Sequence, residues 1–294
     1  MRHVSGPDMV GAKDNQTSEG LSMSSQDMQV VGLCRFSYPA LGGFQVEHET
    51  IEDRRAYLYA PERMEERFRT FETIALPGLK AQTDPNFELL IVVGDCMPAP
   101  YLERLAALTQ DFPQAVIVQR APERHRPAMQ RVLNDFRRDT GLHTLQFRHD
   151  DDDAVAVNFI ERLRDVAQDC QGLLARNRLM AIDFNRGFSA RPTAQGLEAE
   201  PAFLPYYGVA FGMAVAPSVK QSIMNFGHNK VHRVMPTITH TDEDMFVRGH
   251  NDFNDSRQKA NVSKVDLQPL DAAGEAHFKA RFAIDADQVR AAFA

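Results

Sequence analysis

One segment of the chain, residues 142–157, reads LHTLQFRHDDDDAVAV. Its apolar run, Leu142–Phe147, predicts a strand that leads into four consecutive aspartates, Asp150–Asp153, and a helical pattern follows over 154–166. Four adjacent carboxylates repel one another, and a divalent cation would remove that repulsion. Mg²⁺ and Mn²⁺ are hard ions that suit carboxylate oxygens and leave coordination positions for phosphates. The segment therefore indicates a site for a metal ion and a diphosphate.

Two structural explanations stay open for Asp150–Asp153, which we call the acidic run. Asp153 is a natural N-cap for the helix expected after it, and the other acids would favour the positive end of that helix. A run of acids can also form a solvated loop. The apolar segments on both sides favour the site, because they place the acidic run at the edge of a core.

The composition limits the classes of function. The 294 residues are 43% hydrophobic and 25% charged, which is ordinary for a globular protein. A net charge of −7 argues against nucleic acid as a partner, because such partners require a basic surface. Three widely spaced cysteines form neither a metal pattern nor a disulfide framework, so we expect a cytoplasmic protein. We expect no membrane-crossing segment. A basic stretch over 124–138 indicates either peripheral contact with the inner membrane or a solvated helix face.

Apolar segments alternate with helical patterns through the first half of the chain. We predict helices starting at Glu62 and over 98–108 and 127–136, and strands over 30–34, 87–93, 115–118 and 142–147. Continuous apolar strands separated by helices predict a parallel sheet covered on both faces. Such sheets bind ligands beyond the carboxyl ends of their strands, where Asp95 and the acidic run lie.

The second half of the chain is less regular. We expect a strand at 207–216, a helix at 218–226, a loop at 227–241, a helix from Asp244 to Gly249 and a terminal helix at 278–294. Before these, we expect a hairpin of 180–184 and 187–190 around Asn185 and Arg186, followed by a polar loop at 191–201.

Several short motifs resemble those of one known class of enzyme. They are Arg67-Phe68 through Phe71-Glu72, Leu76-Pro77-Gly78-Leu79, Gln82-Thr83-Asp84, Asn86-Phe87-Glu88, and Arg148 followed by the acidic run and Ala154. Over residues 28–257 the chain resembles nucleotide-sugar-dependent glycosyltransferases of the GT-A fold, in particular the bacterial family of putative rhamnosyltransferases. The resemblance implies an α/β fold with a mainly parallel, mixed sheet flanked by helices on both faces. It also implies a nucleotide-sugar-binding βαβ half over 28–170 and an acceptor-binding half with the C-terminal segment over 171–294, within the same domain. Residues 1–27 are rich in Ser, Gly, Asp, Asn and Gln and contain no aromatic residue, so we expect a disordered tail there.

The resemblance gives the acidic run a role at each position. Asp150 and Asp152 match the two acids of the DxD motif of that class, with Asp151 between them. Asp150 would contact the ribose or a water of the metal shell, and Asp152 would bind Mn²⁺ or Mg²⁺ directly. Asp153 would be a further acid of the metal site, and His250 would complete the metal shell.

Other candidate residues lie outside the acidic run. Asp95 matches an acid that contacts the nucleobase, with a turn aspartate that caps the next helix as the alternative. Arg35, at the end of the first strand, is a nucleotide-binding candidate by position. Glu243 and Asp244 resemble the pair that carries the general base in related inverting enzymes, and their place after the DxD match favours that role. A neighbouring carboxylate would raise the pKa of such a base. Asp244 is the first candidate, and Glu243 is the fallback. The alternative is an acidic first helical turn with Asp242 as N-cap.

Aromatic and basic residues of the second half supply further candidates. His228 and His232 lie in a basic loop that would close over a diphosphate and offset its charge, with a solvated loop as the alternative. Tyr206 and Tyr207 are candidates for stacking on a sugar, because the chain has no tryptophan. Core packing is the alternative for these tyrosines.

The resemblance as a whole implies transfer of a sugar such as rhamnose from a nucleoside diphosphate donor to a glycan or another hydroxyl acceptor, with inversion. Three alternatives stay open. They are a non-catalytic nucleotide-sugar- or glycan-binding protein, a metal-dependent nucleotidyltransferase, and an acidic calcium-binding module. The second would require a glycine-rich phosphate loop, which residues 32–37 are not, and the third would require the spaced ligands of an EF-hand.

Overall fold

We describe the chain from a computed structural model, which covers residues 24–42, 48–250 and 266–294. Residues 1–23 of the expected N-terminal tail lie outside the described residues. The last three residues of that tail, Ser25–Asp27, form a 3-10 turn. Within the described ranges, every helix is too short or too polar to cross a membrane.

The described residues form twelve strands and nine α-helices, which alternate along the first half of the chain. The strands are β1 Val30–Arg35, β2 Glu88–Gly94, β3 Ala115–Arg120, β4 Thr144–Asp150, β5 Ala154–Val155, β6 Leu179–Phe184, β7 Arg186–Thr193, β8 Gly196–Phe203, β9 Phe211–Val215, β10 Thr237–His240, β11 Phe246–Gly249 and β12 Gln268–Pro269. The α-helices are α1 Ile51–Leu58, α2 Pro61–Thr70, α3 Leu76–Lys80, α4 Ala99–Thr109, α5 His125–Phe136, α6 Phe159–Asp169, α7 Gln171–Leu174, α8 Ala272–Phe282 and α9 Ala286–Phe293. A π-helical segment, Phe71–Ala75, joins α2 to α3.

The main sheet has the strand order β3-β2-β1-β4-β9-β6-β10. Strand β1 pairs in parallel with β2 and β4, and β2 pairs in parallel with β3. Strand β9 runs antiparallel to both β4 and β6, which makes the sheet mixed. Because β1 and β4 are parallel neighbours, their carboxyl ends meet, and Arg35 lies opposite Asp150 in the register.

Helices cover both faces of the main sheet. Successive side chains of a strand point to opposite faces, so Leu33 of β1 packs in one cluster with Met129 of α5. Phe147 of β4 belongs to the core cluster on the other face, where its ring meets that of Phe159 in α6 at 5.4 Å between centroids. The predicted α/β fold class, a mainly parallel mixed sheet flanked by helices on both faces, is confirmed.

A smaller sheet corrects the expectations for the second half. It has the order β5-β11-β7-β8-β12. The predicted hairpin of 180–184 and 187–190 is wrong, because β6 enters the main sheet whereas β7 enters the smaller one. The expected polar loop at 191–201 forms most of the β7–β8 hairpin. The expected helix over 244–249 is wrong as well, because Phe246–Gly249 is a buried strand. A four-residue segment is too short to show its period.

The segment after the acidic run also differs from expectation. Residues Ala154 and Val155 pair with β11, and α6 begins only at Phe159 with Asn158 in the N-cap position. Asp153 is therefore not a helix cap. Asp242 likewise precedes a strand and does not cap a helix.

Three other expectations for the second half hold in part. The expected helix over 218–226 is reduced to the 3-10 turn Ile223–Asn225. The expected loop over 227–241 contains a second 3-10 turn, His228–Arg233, and strand β10. The terminal helix is divided into α8 and α9 by Ala283, which has a left-handed backbone with φ of 56°.

Candidate active site at the ends of strands β1 and β4

A cavity of about 450 Å³ opens where β1 and β4 end. This is the edge at which parallel sheets bind ligands, and the volume falls within the roughly 300–1,000 Å³ of small-molecule sites. Residues from the β1 end, α2, α5, the segment before β9 and β11 surround the acidic run. Among the described residues, its lining includes the whole acidic run and five arginines, Arg35, Arg67, Arg126, Arg148 and Arg248.

Asp150 is the member of the acidic run that faces the cavity most openly. Its carboxylate lies 3.4 Å from the Arg35 guanidinium and 3.5 Å from that of Arg148, and 21% of its side chain is exposed. Burial opposes its ionisation, but Arg148, Arg35 and Arg248 outweigh burial and hold the pKa of Asp150 below its usual range. Asp150 is therefore a stable carboxylate at the cavity wall.

The other three acids are buried against two arginines from distant parts of the chain. Arg67 of α2 lies 2.5 Å from a carboxylate oxygen of Asp151 and 3.8 Å from one of Asp152. Arg248 of β11 lies 2.7 Å from Asp153 and 3.6 Å from Asp152. Each of these side chains is at most 8% exposed. Because a buried charge requires a charged or hydrogen-bonding partner, the two arginines make it possible to bury the acidic run.

The backbone of β11 also approaches the acidic run closely. The amide of Gly249 donates to a carboxylate oxygen of Asp153 at 3.0 Å. A Cβ atom on Gly249 would lie only 2.1 Å from the carbonyl oxygen of Asp152, so a larger residue would displace one of the two segments. Burial raises the pKa of Asp153 to about 7, although Arg248 opposes this rise.

The donor groups of the acidic run do not fit a resident divalent cation. Within the described ranges, no three side chains of His, Cys, Asp or Glu form a cluster that would hold a metal ion. Asp152 and Asp153, the expected ligands, instead have Arg248 beside their carboxylates. His250 is not part of the cavity lining, and its backbone amide bonds the carbonyl of Ala190 at 2.8 Å. The assignment of Mn²⁺ or Mg²⁺ stays a prediction that this arrangement does not support.

Two histidines add neutral polar groups to the cavity. Burial, followed by the nearby charges of Arg35 and Arg148, lowers the pKa of His125 to about 3. Burial also lowers the pKa of His228, whose Nδ1 lies 2.5 Å from the carbonyl oxygen of Tyr206. At neutral pH both rings offer hydrogen bonds without charge.

Glu243 and Asp244, the predicted general-base pair, lie outside the cavity lining. Asp244 is paired with Arg186 of β7 at 2.8 Å and with His277 of α8 at 3.1 Å. Glu243 is paired with Arg281 of α8. These contacts connect the segment before β11 to neighbouring elements, and the structure does not bring the pair together with the acidic run.

The charge environment of Glu243 differs from that expected of a base. Burial opposes its ionisation, but hydrogen bonds from Asn158 and Arg281 outweigh burial and lower the pKa of Glu243. A lowered pKa weakens a carboxylate as a proton acceptor. The general-base role of Asp244, with Glu243 as the fallback, stays a prediction.

Asp95 also lies away from the cavity lining. It is exposed in the turn after β2, where its amide donates to the carbonyl of Arg120 at 3.0 Å. The N-cap position of α4 is occupied by Pro98, so Asp95 does not cap that helix. Its contact with a nucleobase stays a prediction.

Four arginines of the cavity were not assigned to it from the sequence. Arg67 and Arg148 stood in recognised motifs without a role. Arg126 stood in a basic stretch interpreted as a membrane-contacting or solvated helix face, and Arg248 stood in a segment expected to be helical. A signal was present for Arg248, because it directly follows the apolar residues Phe246 and Val247, and a guanidinium buried beside them requires a buried acid. The sequence did not show that this acid was 95 residues away.

Solved structures of other proteins show distant similarity. They include S. aureus TarS 1-349, with 13% identity, 76% of this chain and 60% of that chain covered, and a TM-score of 0.39. The same protein in complex with UDP has 11% identity over 76% and 61%, with a TM-score of 0.42. A 4-diphosphocytidyl-2C-methyl-D-erythritolsynthase from Anaerococcus prevotii DSM 20548 has 9% identity over 74% and 88%, with a TM-score of 0.31. The chain thus spans about 60% of the length of TarS 1-349.

The family comparison is more informative. Among curated proteins, none matches the chain. A family model described as "Putative rhamnosyl transferase" matches residues 29–263, a range that holds the main sheet, the acidic run and the cavity. The resemblance inferred from the sequence motifs is confirmed: the chain belongs to the putative rhamnosyl transferase family.

Proposed function

We propose that the chain transfers a sugar from a nucleoside diphosphate donor, bound in the cavity at the ends of β1 and β4, to an acceptor hydroxyl. The observation that carries this proposal is the group of guanidinium side chains at the cavity wall. Arg35 and Arg148 lie at the carboxyl ends of adjacent strands, and Arg126 lies near the start of α5. Arginine is suited to phosphate because its planar donors form paired hydrogen bonds with two oxygens.

The charge balance of the cavity supports an anionic ligand. Among the described residues that line the cavity, five are arginines and four are the aspartates of the acidic run. The pKa of Asp153 is raised to about 7 by burial, which reduces the negative charge further at neutral pH. Sugar transfer leaves a diphosphate whose negative charge grows as the glycosidic bond breaks. Fixed cations at that position stabilise the transition state more than the ground state.

An aromatic side chain at the cavity suits the remaining parts of a nucleotide sugar. Tyr207 is 41% exposed and lines the cavity. The guanidinium of Arg248 lies 5.8 Å from the centre of its ring, which orients the ring. The apolar face of Tyr207 is therefore a platform for a sugar or a base.

The acceptor hydroxyl requires a base, because it is a weak nucleophile until its proton leaves. Asp244 is the base predicted from the sequence, and a single displacement with inversion would follow from that assignment. Asp244→Asn tests it, since the variant should bind the donor normally and lose transfer. Unchanged turnover would remove Asp244 from the mechanism.

Donor binding is the direct test of the proposed function. Calorimetric titrations with UDP, dTDP, GDP, ADP and CDP should show saturable binding of at least one. Arg148→Ala should weaken that binding by about tenfold or more, which corresponds to one charged hydrogen-bonding contact. Arg131→Ala is a matched control, because Arg131 of α5 is 54% exposed and pairs with Glu123 outside the cavity. Absence of binding for all five nucleotides, with no hydrolysis of the corresponding sugar nucleotides, would contradict the proposal.

A further inference from the structure

The positive charge in this cavity is arranged in two layers of arginines. The inner layer, Arg67 and Arg248, is 4–5% exposed and contacts the three buried acids, Asp151, Asp152 and Asp153. A divalent cation on Asp152 would lie beside both guanidinium groups. Moving Arg67 or Arg248 into water would break its buried pair with Asp151 or Asp153. Both guanidinium groups would therefore stay in place and repel the cation.

The outer layer, Arg35 and Arg148, is more exposed and contacts Asp150 at longer distances. Their side chains are 21% and 23% exposed, and their distances to Asp150 are 3.4 and 3.5 Å, longer than those of a strong charged hydrogen bond. Partly exposed pairs with this geometry contribute little free energy. A phosphate group with several oxygens would compete well with the single carboxylate of Asp150 for these donors.

Resting on the proposed function, we infer that the diphosphate of the donor is bound by Arg35, Arg126 and Arg148 without a divalent cation. Arg67 and Arg248 neutralise the buried acids and so perform the task that a metal ion would have at an acidic run. Asp150 occupies the donors of Arg35 and Arg148 in the free enzyme and yields them to the phosphates. The ligand class is a nucleoside diphosphate bound as its metal-free anion.

Nucleotide binding with and without metal tests this inference. The nucleotide selected from the five above is titrated into the full chain in EDTA and again in excess Mn²⁺. A lost metal–phosphate contact would cost at least about tenfold in affinity, so a metal-dependent site would bind at least about tenfold more weakly in EDTA. A site for the metal-free anion should instead bind equally well in EDTA or more tightly there, because excess Mn²⁺ chelates the diphosphate in solution. Binding that requires Mn²⁺ would overturn the inference and leave the proposed function intact. Failure of all five nucleotides to bind in both buffers, with no hydrolysis of the corresponding sugar nucleotides, would overturn both.

Asp150→Asn gives a second test, because a metal-dependent site and the metal-free site that we infer predict opposite results. If Asp150 is a metal ligand, the variant loses nucleotide affinity. If Asp150 competes with phosphate for the arginines, the variant binds equally well or roughly two- to fivefold more tightly, the equivalent of one partly exposed ion pair. A thermal melt of the variant checks that it is folded. Affinity weakened tenfold in a folded variant would refute the competition.

Arg126→Ala tests the third arginine of the proposed diphosphate site without altering any contact of the acidic run that we describe. The variant should lose nucleotide affinity by about tenfold in EDTA, as for the loss of one charged contact. Arg131→Ala on the same helix is again the control and should leave the affinity unchanged. Equal affinities for the two variants would exclude Arg126 from the diphosphate site.

Discussion

Replacing Arg248 by methionine should destabilise the protein strongly, because it leaves buried carboxylates without their cation. Arg248 is 5% exposed at its side chain and lies 2.7 Å from Asp153 and 3.6 Å from Asp152, each 3% exposed. Removing one partner of a buried ion pair costs about 3–5 kcal/mol, since the remaining charge stays buried. Native domains have roughly 5–15 kcal/mol of stability, so the variant should remain folded only marginally.

Urea denaturation measures this loss as a shift of the transition midpoint at constant slope. Arg186→Met is the matched control, because Arg186 lies in the neighbouring strand β7 and is 48% exposed at its pair with Asp244. Loss of this more exposed pair should cost no more than about 1 kcal/mol. A loss below about 1 kcal/mol for Arg248→Met as well would refute the role assigned to Arg248.

The double variant Arg248→Met with Asp153→Asn identifies the origin of the loss. If the uncompensated carboxylate causes it, removing the charge of Asp153 should recover at least about 1 kcal/mol, as contacting residues couple by roughly 0.5–3 kcal/mol. Additive losses would show that Arg248 acts through packing alone. Added Mn²⁺ should not restore Arg248→Met, whereas restoration would show that the acidic run accepts a cation once the arginine is gone.

Three further predictions follow from the structure. Gly249→Ala should lower the free energy of unfolding in urea by about 1–3 kcal/mol and weaken nucleotide binding, since its Cβ would lie 2.1 Å from the Asp152 carbonyl oxygen. The control Gly172→Ala places no atom within 4 Å of the new Cβ and should cost no stability. Equal losses of stability in the two variants would refute the clash. Burial raises the pKa of Asp183 to about 6 against the opposing Tyr206 amide, so the folded chain binds an extra proton and the contribution of Asp183 to stability falls as pH rises from about 4 to 6. Relative to the wild type, Asp183→Asn should therefore gain stability over this range, and an unchanged difference between the two would contradict it. Cys34 is fully buried with a raised pKa, so native protein should react with a thiol reagent only at the partly exposed cysteines, and labelling of Cys34 before unfolding would disprove this.

The first half of the fold could be predicted because its information is local. The observed strands β1 to β4 lie within a few residues of the predicted ones, and helices α2, α4 and α5 follow the predicted patterns. Continuous apolar runs such as that of β2 are long enough to identify buried parallel strands. The alternation of these elements then restricts the order of the sheet to few possibilities.

The second half could not be predicted with the same reliability, because its elements are short and partly exposed. The β7–β8 hairpin is polar along much of its length, since one of its faces is accessible, and it therefore resembled a loop. The segment Phe246–Gly249 is too short to distinguish helix from strand by periodicity. Its identity depends on pairing with β7 and β5, and those strands are distant in sequence.

The amino-acid sequence alone was enough to establish the family, the parallel half of the sheet and the position of the acidic run at a strand end. It could not establish which positive charges compensate that run. Arg67 and Arg248 reach their acids across 84 and 95 residues of chain, and no local pattern encodes such distances. Side chains acquire these partners only when the packed core brings α2 and β11 beside the end of β4, and that arrangement gives the buried acids their arginine partners.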